Sequence, residues 1–220
     1  MIYTGSDKES IALRQYPSLS DWRRRVTELY AAVRAADDPH LAWAHFVDGR
    51  NQLFKEHSQT PLSGPDRRNF SGLDYFKYDL DLRLNGRLKF DVEPRIFNVH
   101  LQDDDLLRFQ RVASVHFRLG DRPQQLSLFW ILGYGGGLFL PFKDKMSGSE
   151  TFGGGRYLYD TIKGADLGVA YDTVVLDFNF AYNPSCAYHA KWTCPLAPQE
   201  NHLPVAVRAG EKNFTKQANQ

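Results

Sequence analysis

Three short stretches of this chain carry residues whose types and spacing can do chemistry. The first is Glu150-Thr-Phe-Gly-Gly-Gly-Arg156. Consecutive glycines let backbone N–H groups turn toward one point, and the guanidinium that follows adds a bidentate donor, a combination able to cradle a carboxylate or a phosphate. It is not a P-loop, because no Gly-Lys-Ser/Thr closes it and no strand–glycine–helix unit surrounds it. The plainer alternative is a loop between strands whose Arg156 pairs with Glu150 or Asp144. The second stretch runs from Asp172 to Pro184. On a strand, Asp177 and Asn179 would share one face while Leu176, Phe178 and Phe180 share the other. Tyr182 and Asn183 follow, before a turn at Pro184. Either an exposed strand face or a pocket, apolar with a few placed polar groups, accounts for this pattern.

The third stretch holds both cysteines of the chain, Cys186 and Cys194, with His189 between them and Glu200, Asn201 and His202 beyond. Two Cys and two His suffice for tetrahedral zinc, but these spacings match no standard finger, so no metal ligands are assigned. A disulfide and a reduced, partly buried pair are the other options, making Cys186 and Cys194 a structural or redox pair. A cysteine nucleophile would need a base that the sequence does not place. His45, His100 and His116 sit singly in periodic segments and read as core or surface residues. There is no Gly-x-Ser-x-Gly elbow, no His-Glu-x-x-His and no dinucleotide fingerprint, and no cofactor is indicated.

The elements that must position these residues are legible from period. Ser20 is expected to cap a helix carrying Trp22, Val26, Leu29, Tyr30 and Val33 on one face; Arg23, Arg24 and Arg25 belong to its solvated side. Asp37-Asp38-Pro39 restarts a second helix with Trp43, Phe46, Val47, Phe54 and His57, ending before Thr60-Pro61. From residue 74 the period becomes two. Phe76 to Leu84 and Leu88 to Val92 alternate about Asn85-Gly86, the signal for a hairpin turn. A second hairpin turns at Gly120-Asp121, and its return strand, apolar on both sides through Phe129 and Ile131, should be central. Further strands are expected at Leu138–Phe142, Arg156–Ile162, Val174–Phe180 and Leu203–Ala209. Eight or nine short strands at hairpin spacing argue a barrel or a strongly bent antiparallel sheet.

The chain has 220 residues, 27 basic and 26 acidic, with 15 Phe, 11 Tyr and 4 Trp. The near-zero net charge gives no bulk attraction for nucleic acid or an anionic membrane, so neither is expected as a partner. Apolar residues at 42% fit a globular core and exclude a disordered or disulfide-dense chain. The long uncharged stretch Pro123–Phe142 contains two prolines and Gly135-Gly136-Gly137, which suit a buried hairpin rather than a membrane span. Met1 to Ser10 shows no secretory signal, so a cytoplasmic location is expected.

Several of these segments together resemble a bacterial and archaeal family, domain of unknown function 1684. The likeness lies in Leu138-Phe-Leu-Pro-Phe142, Glu150-Thr-Phe-Gly-Gly-Gly-Arg-Tyr-Leu158, Asp177-Phe-Asn179, Ala181-Tyr-Asn-Pro184, Cys186-Ala-Tyr188, Cys194-Pro-Leu196, Glu200-Asn201 and Ala209-Gly-Glu211. Arg50 to Phe54, His57 and Thr60-Pro61-Leu62 resemble the family's beginning, so the likeness spans roughly residues 45 to 212. Ala197 departs from it where a proline is expected. The resemblance implies that the glycine–arginine loop and the cysteine segment form one unit; it implies no activity.

The expectation is an α+β fold, a helical segment (1–69) packed on an antiparallel β-barrel-like core (70–212), followed by a tail (213–220). Its function would be binding of a small anionic or aromatic ligand through Glu150, Arg156, Asp177, Asn179, Tyr182, Asn183, Glu200 and Asn201. The other readings are a barrel-type enzyme, either a flavin-linked oxidoreductase or a zinc-assisted hydrolase, and a non-catalytic interaction module docking through the Trp22–Arg25 face.

Overall fold

A computed structural model describes residues 7–100 and 106–215. Two long helices open the chain, α1 (Asp7–Ala35) and α2 (Pro39–Glu56), followed by the short α3 (Gly64–Arg68). Asp38 starts α2 by accepting from the N–H groups of His40 (2.9 Å) and Leu41 (3.0 Å), with Pro39 in the first turn, where a missing N–H costs nothing. Ser20 does not cap α1 but lies within it, as does Pro17. The nearby Ser18 hydroxyl bonds the Ser58 hydroxyl.

Among the described residues eight strands follow, all paired antiparallel: β1 (Arg83–Lys89), β2 (Ile96–His100), β3 (Leu106–Leu119), β4 (Arg122–Ile131), β5 (Gly137–Phe142), β6 (Arg156–Asp160), β7 (Val169–Ala170) and β8 (Thr173–Asp177). They form one curled sheet in the order β6-β5-β4-β3-β1-β8-β7, a half-barrel rather than a closed one. β3 is its spine. β4 runs along one edge of β3, while β2 and then β1 share the other, and the register of β3 against β4 shifts between Arg111 and Ala113. A bulge there bends the strand where its partner changes.

Asn85-Gly86 makes no hairpin. Both residues lie inside β1, paired with Val175 and Val174 of β8. A Cβ on Gly86 would stand 2.4 Å from Val115 Cγ1 and 2.9 Å from Leu176 Cδ1. The glycine therefore admits side chains from both neighbouring strands, a close approach that any Cβ would block. The alternating run before it is not a strand either. Asp79 accepts from Asp81 N (3.0 Å) and starts a 3-10 turn, Leu80–Leu82. Likewise β8 ends at Asp177 and residues Phe178–Phe180 turn as 3-10 helix, and β6 stops at Asp160 rather than Ile162. Leu203–Ala209 is no strand but part of an irregular strap that runs on to Glu211: Lys145 N donates to Val205 O (3.0 Å) and Leu203 N to Lys143 O (2.8 Å).

The inner face of the curl holds the main core. Leu128, Leu140, Leu158 and Leu176 meet Val26 and Tyr30 of α1 and Phe46 and Leu53 of α2. The alternate residues Phe129, Phe139 and Tyr157 form a second cluster with Phe109 and Ile131 on the outer face. Burial on both faces explains the unbroken apolar runs of β4, β5 and β6. Phe214, expected in the tail, stacks edge-on against Tyr188 at 5.4 Å between centroids; residues 216–220 lie outside the described residues. Among the described residues no helix is long and apolar enough to cross a membrane.

Candidate functional site

The glycine–arginine loop delivers Arg156 into the interior. Gly155 takes φ +91°, and a Cβ there would press 2.5 Å from Phe142 O, so the loop passes β5 too closely for any side chain. Arg156 is 1% exposed. Its guanidinium donates to the carbonyls of Val207 (3.1 Å), Ala209 and Glu211 (3.2 Å), and to Asp144 Oδ2 (3.2 Å). Asp144 also accepts from Val207 N (2.9 Å) and Met146 N (3.1 Å). Arg156 thus staples the 205–211 strap to β6. Burial lowers its pKa to about 10, opposed by Asp144.

The other expected residues disperse. Glu150 pairs with Arg208 at 2.8 Å. Glu200 stands 3.8 Å from Arg95 and 3.6 Å from Arg111. Asn201, fully buried, acts as a piece of strand: its amide donates to Ser127 O (2.9 Å) and Pro141 O (2.7 Å), and its oxygen accepts from Ser127 N (2.7 Å). Asp177 accepts from Asn179 N (3.0 Å) and Nδ2 (2.8 Å). Asn179 in turn bonds the backbone of Asp79 both ways, at 2.8 and 2.9 Å. Burial pushes the Asp177 carboxyl up to about 6, against the hydrogen bonds from Asn179 and the charge of Arg83. Asp177 lines a separate cleft of ≈ 240 Å³ with Arg34 and Arg83.

Tyr182 and Asn183 instead join a centre that sequence reasoning missed. Its hub is Glu211, 1% exposed. The carboxylate accepts from Arg50 Nη2 (3.2 Å), Asn183 N and Nδ2 (both 3.1 Å) and the Tyr188 hydroxyl. The Arg50 guanidinium lies over the rings of Phe54 (4.8 Å) and Tyr182 (5.0 Å), a cation–π sandwich. This centre borders a cavity of ≈ 70 Å³ between the helices and the end of the sheet, walled by Trp22, Tyr30, Phe54, Tyr157, Asp160, Lys163, Asn183 and Tyr188 among others. Four polar atoms of the lining residues are buried with no hydrogen-bond partner: Tyr30 Oη, Arg50 Nε, Asp160 Oδ1 and Asn183 Oδ1. Asp160 Oδ2 keeps an ion pair with Lys163 at 3.2 Å. Burial holds the Tyr30, Tyr182 and Tyr188 phenols well above their usual range, so all three stay protonated.

One sequence signal pointed to Arg50. It occupies the inward stripe of α2 with Phe46, Leu53 and His57, a charge where the spacing demands an apolar residue. Tyr30, by contrast, reads as ordinary core.

The cysteines meet. Cys186 N–H donates to Cys194 Sγ at 3.3 Å, and both side chains are free thiols, partly buried. The histidines do not join them: Lys191 N donates to His189 Nδ1 (3.0 Å), and His202 Nε2 lies 3.3 Å from Ala197 O. Among the described residues no group of three or more His, Cys, Asp and Glu side chains could hold a metal ion. On the Trp22–Arg25 face, Trp22 turns inward against Phe54 (5.9 Å) and His57 (5.3 Å), while Arg24 and Arg25 pair with Asp21.

A family described as "Protein of unknown function (DUF1684)" matches residues 68–212. The solution NMR structure of an uncharacterized protein from Haloarcula marismortui is similar at 34% identity and TM-score 0.59, over 77% of this chain and 91% of that one. No curated protein matches. Asp160, Lys163, Asn183, Tyr188 and Glu211 fall within the family match, whereas Trp22, Tyr30, Arg50 and Phe54 precede it.

Proposed function

The chain belongs to the DUF1684 family, and from its own geometry we propose that it binds a small polar molecule in the cavity under α1 and α2. The observation that carries this reading is the four unpartnered buried polar atoms of its lining residues. Each would cost about 1–3 kcal/mol if left unsatisfied, and a ligand meeting all four relieves that cost at once. The cavity's two ion pairs, Arg50–Glu211 and Asp160–Lys163, are each neutral overall. A bare anion would face the carboxylate of Asp160 and the carbonyl of Asn183. The complementary molecule therefore carries an acceptor for Arg50 and the Tyr30 hydroxyl, and a donor for Asp160 and Asn183, as an amide or a small amino acid does. The volume admits only a few non-hydrogen atoms, since a water claims about 30 Å³ of liquid. The flat faces of Trp22, Tyr157 and Tyr182 suit a planar group. Glu150, Arg156, Asn179, Glu200 and Asn201 support this binding only through the fold, because they bond the chain itself.

Ligand-observed NMR on the full chain tests it, with acetamide, glycine, acetate and methylammonium as probes. Acetamide or glycine should give the strongest saturation transfer. The signal should be lost in Ala165→Val, which fills the cavity, and reduced in Tyr30→Phe. Equal transfer in wild type and both variants, or none for any probe, would overturn the reading.

A further inference from the structure

We propose that Cys186 and Cys194 form a peroxide-reactive dithiol in which Cys194 attacks, Cys186 resolves, and a single disulfide is the product. This goes beyond the cavity reading and stands on different residues. The two cysteines of the chain, eight positions apart in sequence, are brought together by the 3-10 turn Ser185–Ala187, which begins after Pro184. The first N–H groups of such a turn have no partner within it. Here the N–H of Cys186 points at Cys194 Sγ, at 3.3 Å. The ammonium of Lys163 adds a favourable charge. One sulfur thus receives a backbone N–H and the field of a cation, surroundings that stabilise a thiolate. The two thiols are unequal: the interaction between them, with the backbone N–H and Lys163 in support, holds Cys194 below the ordinary thiol range, while the same interaction and burial push Cys186 up. Neither residue is fully buried, and Lys191, Trp192 and Thr193 of the intervening loop are exposed, which leaves a route for a small oxidant and slack for the sulfurs to close.

The chemistry balances with hydrogen peroxide as the named oxidant. The Cys194 thiolate attacks one peroxide oxygen; the S–O bond forms, the O–O bond breaks, and the departing hydroxide takes a proton to become water. The Cys186 sulfur then attacks the sulfenic sulfur; the S–S bond forms, the S–O bond breaks, and the hydroxyl leaves as water with the Cys186 proton. Two thiols are oxidised by two electrons and one peroxide is reduced to two waters.

The test uses the reduced full chain, exposed to hydrogen peroxide beside free glutathione as a control, then capped with N-ethylmaleimide and read by intact mass and peptide mapping. Wild type should lose two mass units and take up no maleimide at a dose that leaves most glutathione reduced. Cys186→Ser should stop at a sulfenic acid on residue 194, trapped by dimedone. Cys194→Ser should lose its remaining thiol about tenfold more slowly than wild type, as expected when thiolate character is removed. Two maleimides on wild type at a dose that oxidises glutathione would overturn the proposal. So would equal rates in Cys194→Ser and wild type.

Discussion

Two buried arginines divide this molecule into a centre that holds and a centre that is open. Arg156 and Arg50 each face a buried carboxylate at 3.2 Å, Asp144 and Glu211 respectively. Glu211 links the two, giving its backbone carbonyl to Arg156 and its side chain to Arg50. What differs is the company. Arg156 is surrounded by the backbone of the 205–211 strap and gives it three carbonyl hydrogen bonds. Arg50 projects from a helix among aromatic rings, which offer π faces but few acceptors, and its Nε has no partner. A buried cation beside irregular backbone is satisfied by the fold; one among aromatics retains a free donor. The difference teaches that burial and charge alone do not mark a site.

The largest effect that could break this contrast is expected at Arg156. Arg156→Met leaves Asp144 buried without its cation and orphans three strap carbonyls, which should cost about 3–5 kcal/mol in urea unfolding. A loss below about 1 kcal/mol would mean that the strap is held by other contacts.

An intermediate effect is expected at Asp177, a buried carboxyl between the two extremes. Its folded pKa of about 6 lies above the roughly 3.9 of an unfolded aspartate. The folded chain therefore binds the proton more tightly, and stability falls as pH rises from about 4 through 6. Asp177→Asn can keep the acceptor for Asn179 and lacks that titration. Measured by thermal melts, it should gain about 1–3 kcal/mol on wild type between pH 4 and pH 7. Parallel pH profiles for the two proteins would refute the assignment.

The smallest effect on stability belongs to the open centre. Tyr30→Phe deletes a hydroxyl that has no partner, so unfolding should change by less than about 1 kcal/mol, with a gain as acceptable as a loss. A loss above about 2 kcal/mol would show that the hydroxyl bonds within the fold and would remove the contrast with Arg156.

How far the sequence could be read follows the range of the forces involved. The hairpin at Gly120-Asp121, the central place of β4 and the start of α2 at Asp38-Pro39 were legible, because each rests on residues adjacent in the chain. Asn85-Gly86 misled because its glycine answers to Val115 and Leu176, neither of them a sequence neighbour. The Asp177–Asn179 pair looked like a ligand-facing strand and proved to be a capped turn, with Asn179 held by Asp79 from a distant segment. Of the expected site residues, only Tyr182 and Asn183 meet the cavity, since whether a polar group is free depends on every segment that packs around it.

By itself, then, the sequence determined the α+β class, the antiparallel pairing of neighbouring strands and the two thiols on one short loop. Those depend on side-chain period, turn chemistry and short spans of chain. The tertiary structure alone decided which polar groups are satisfied. Arg156 and Arg50 are chemically the same residue, and it is the strap folding back over one and the aromatic helices closing over the other that make the first a staple and leave the second with a bond to offer.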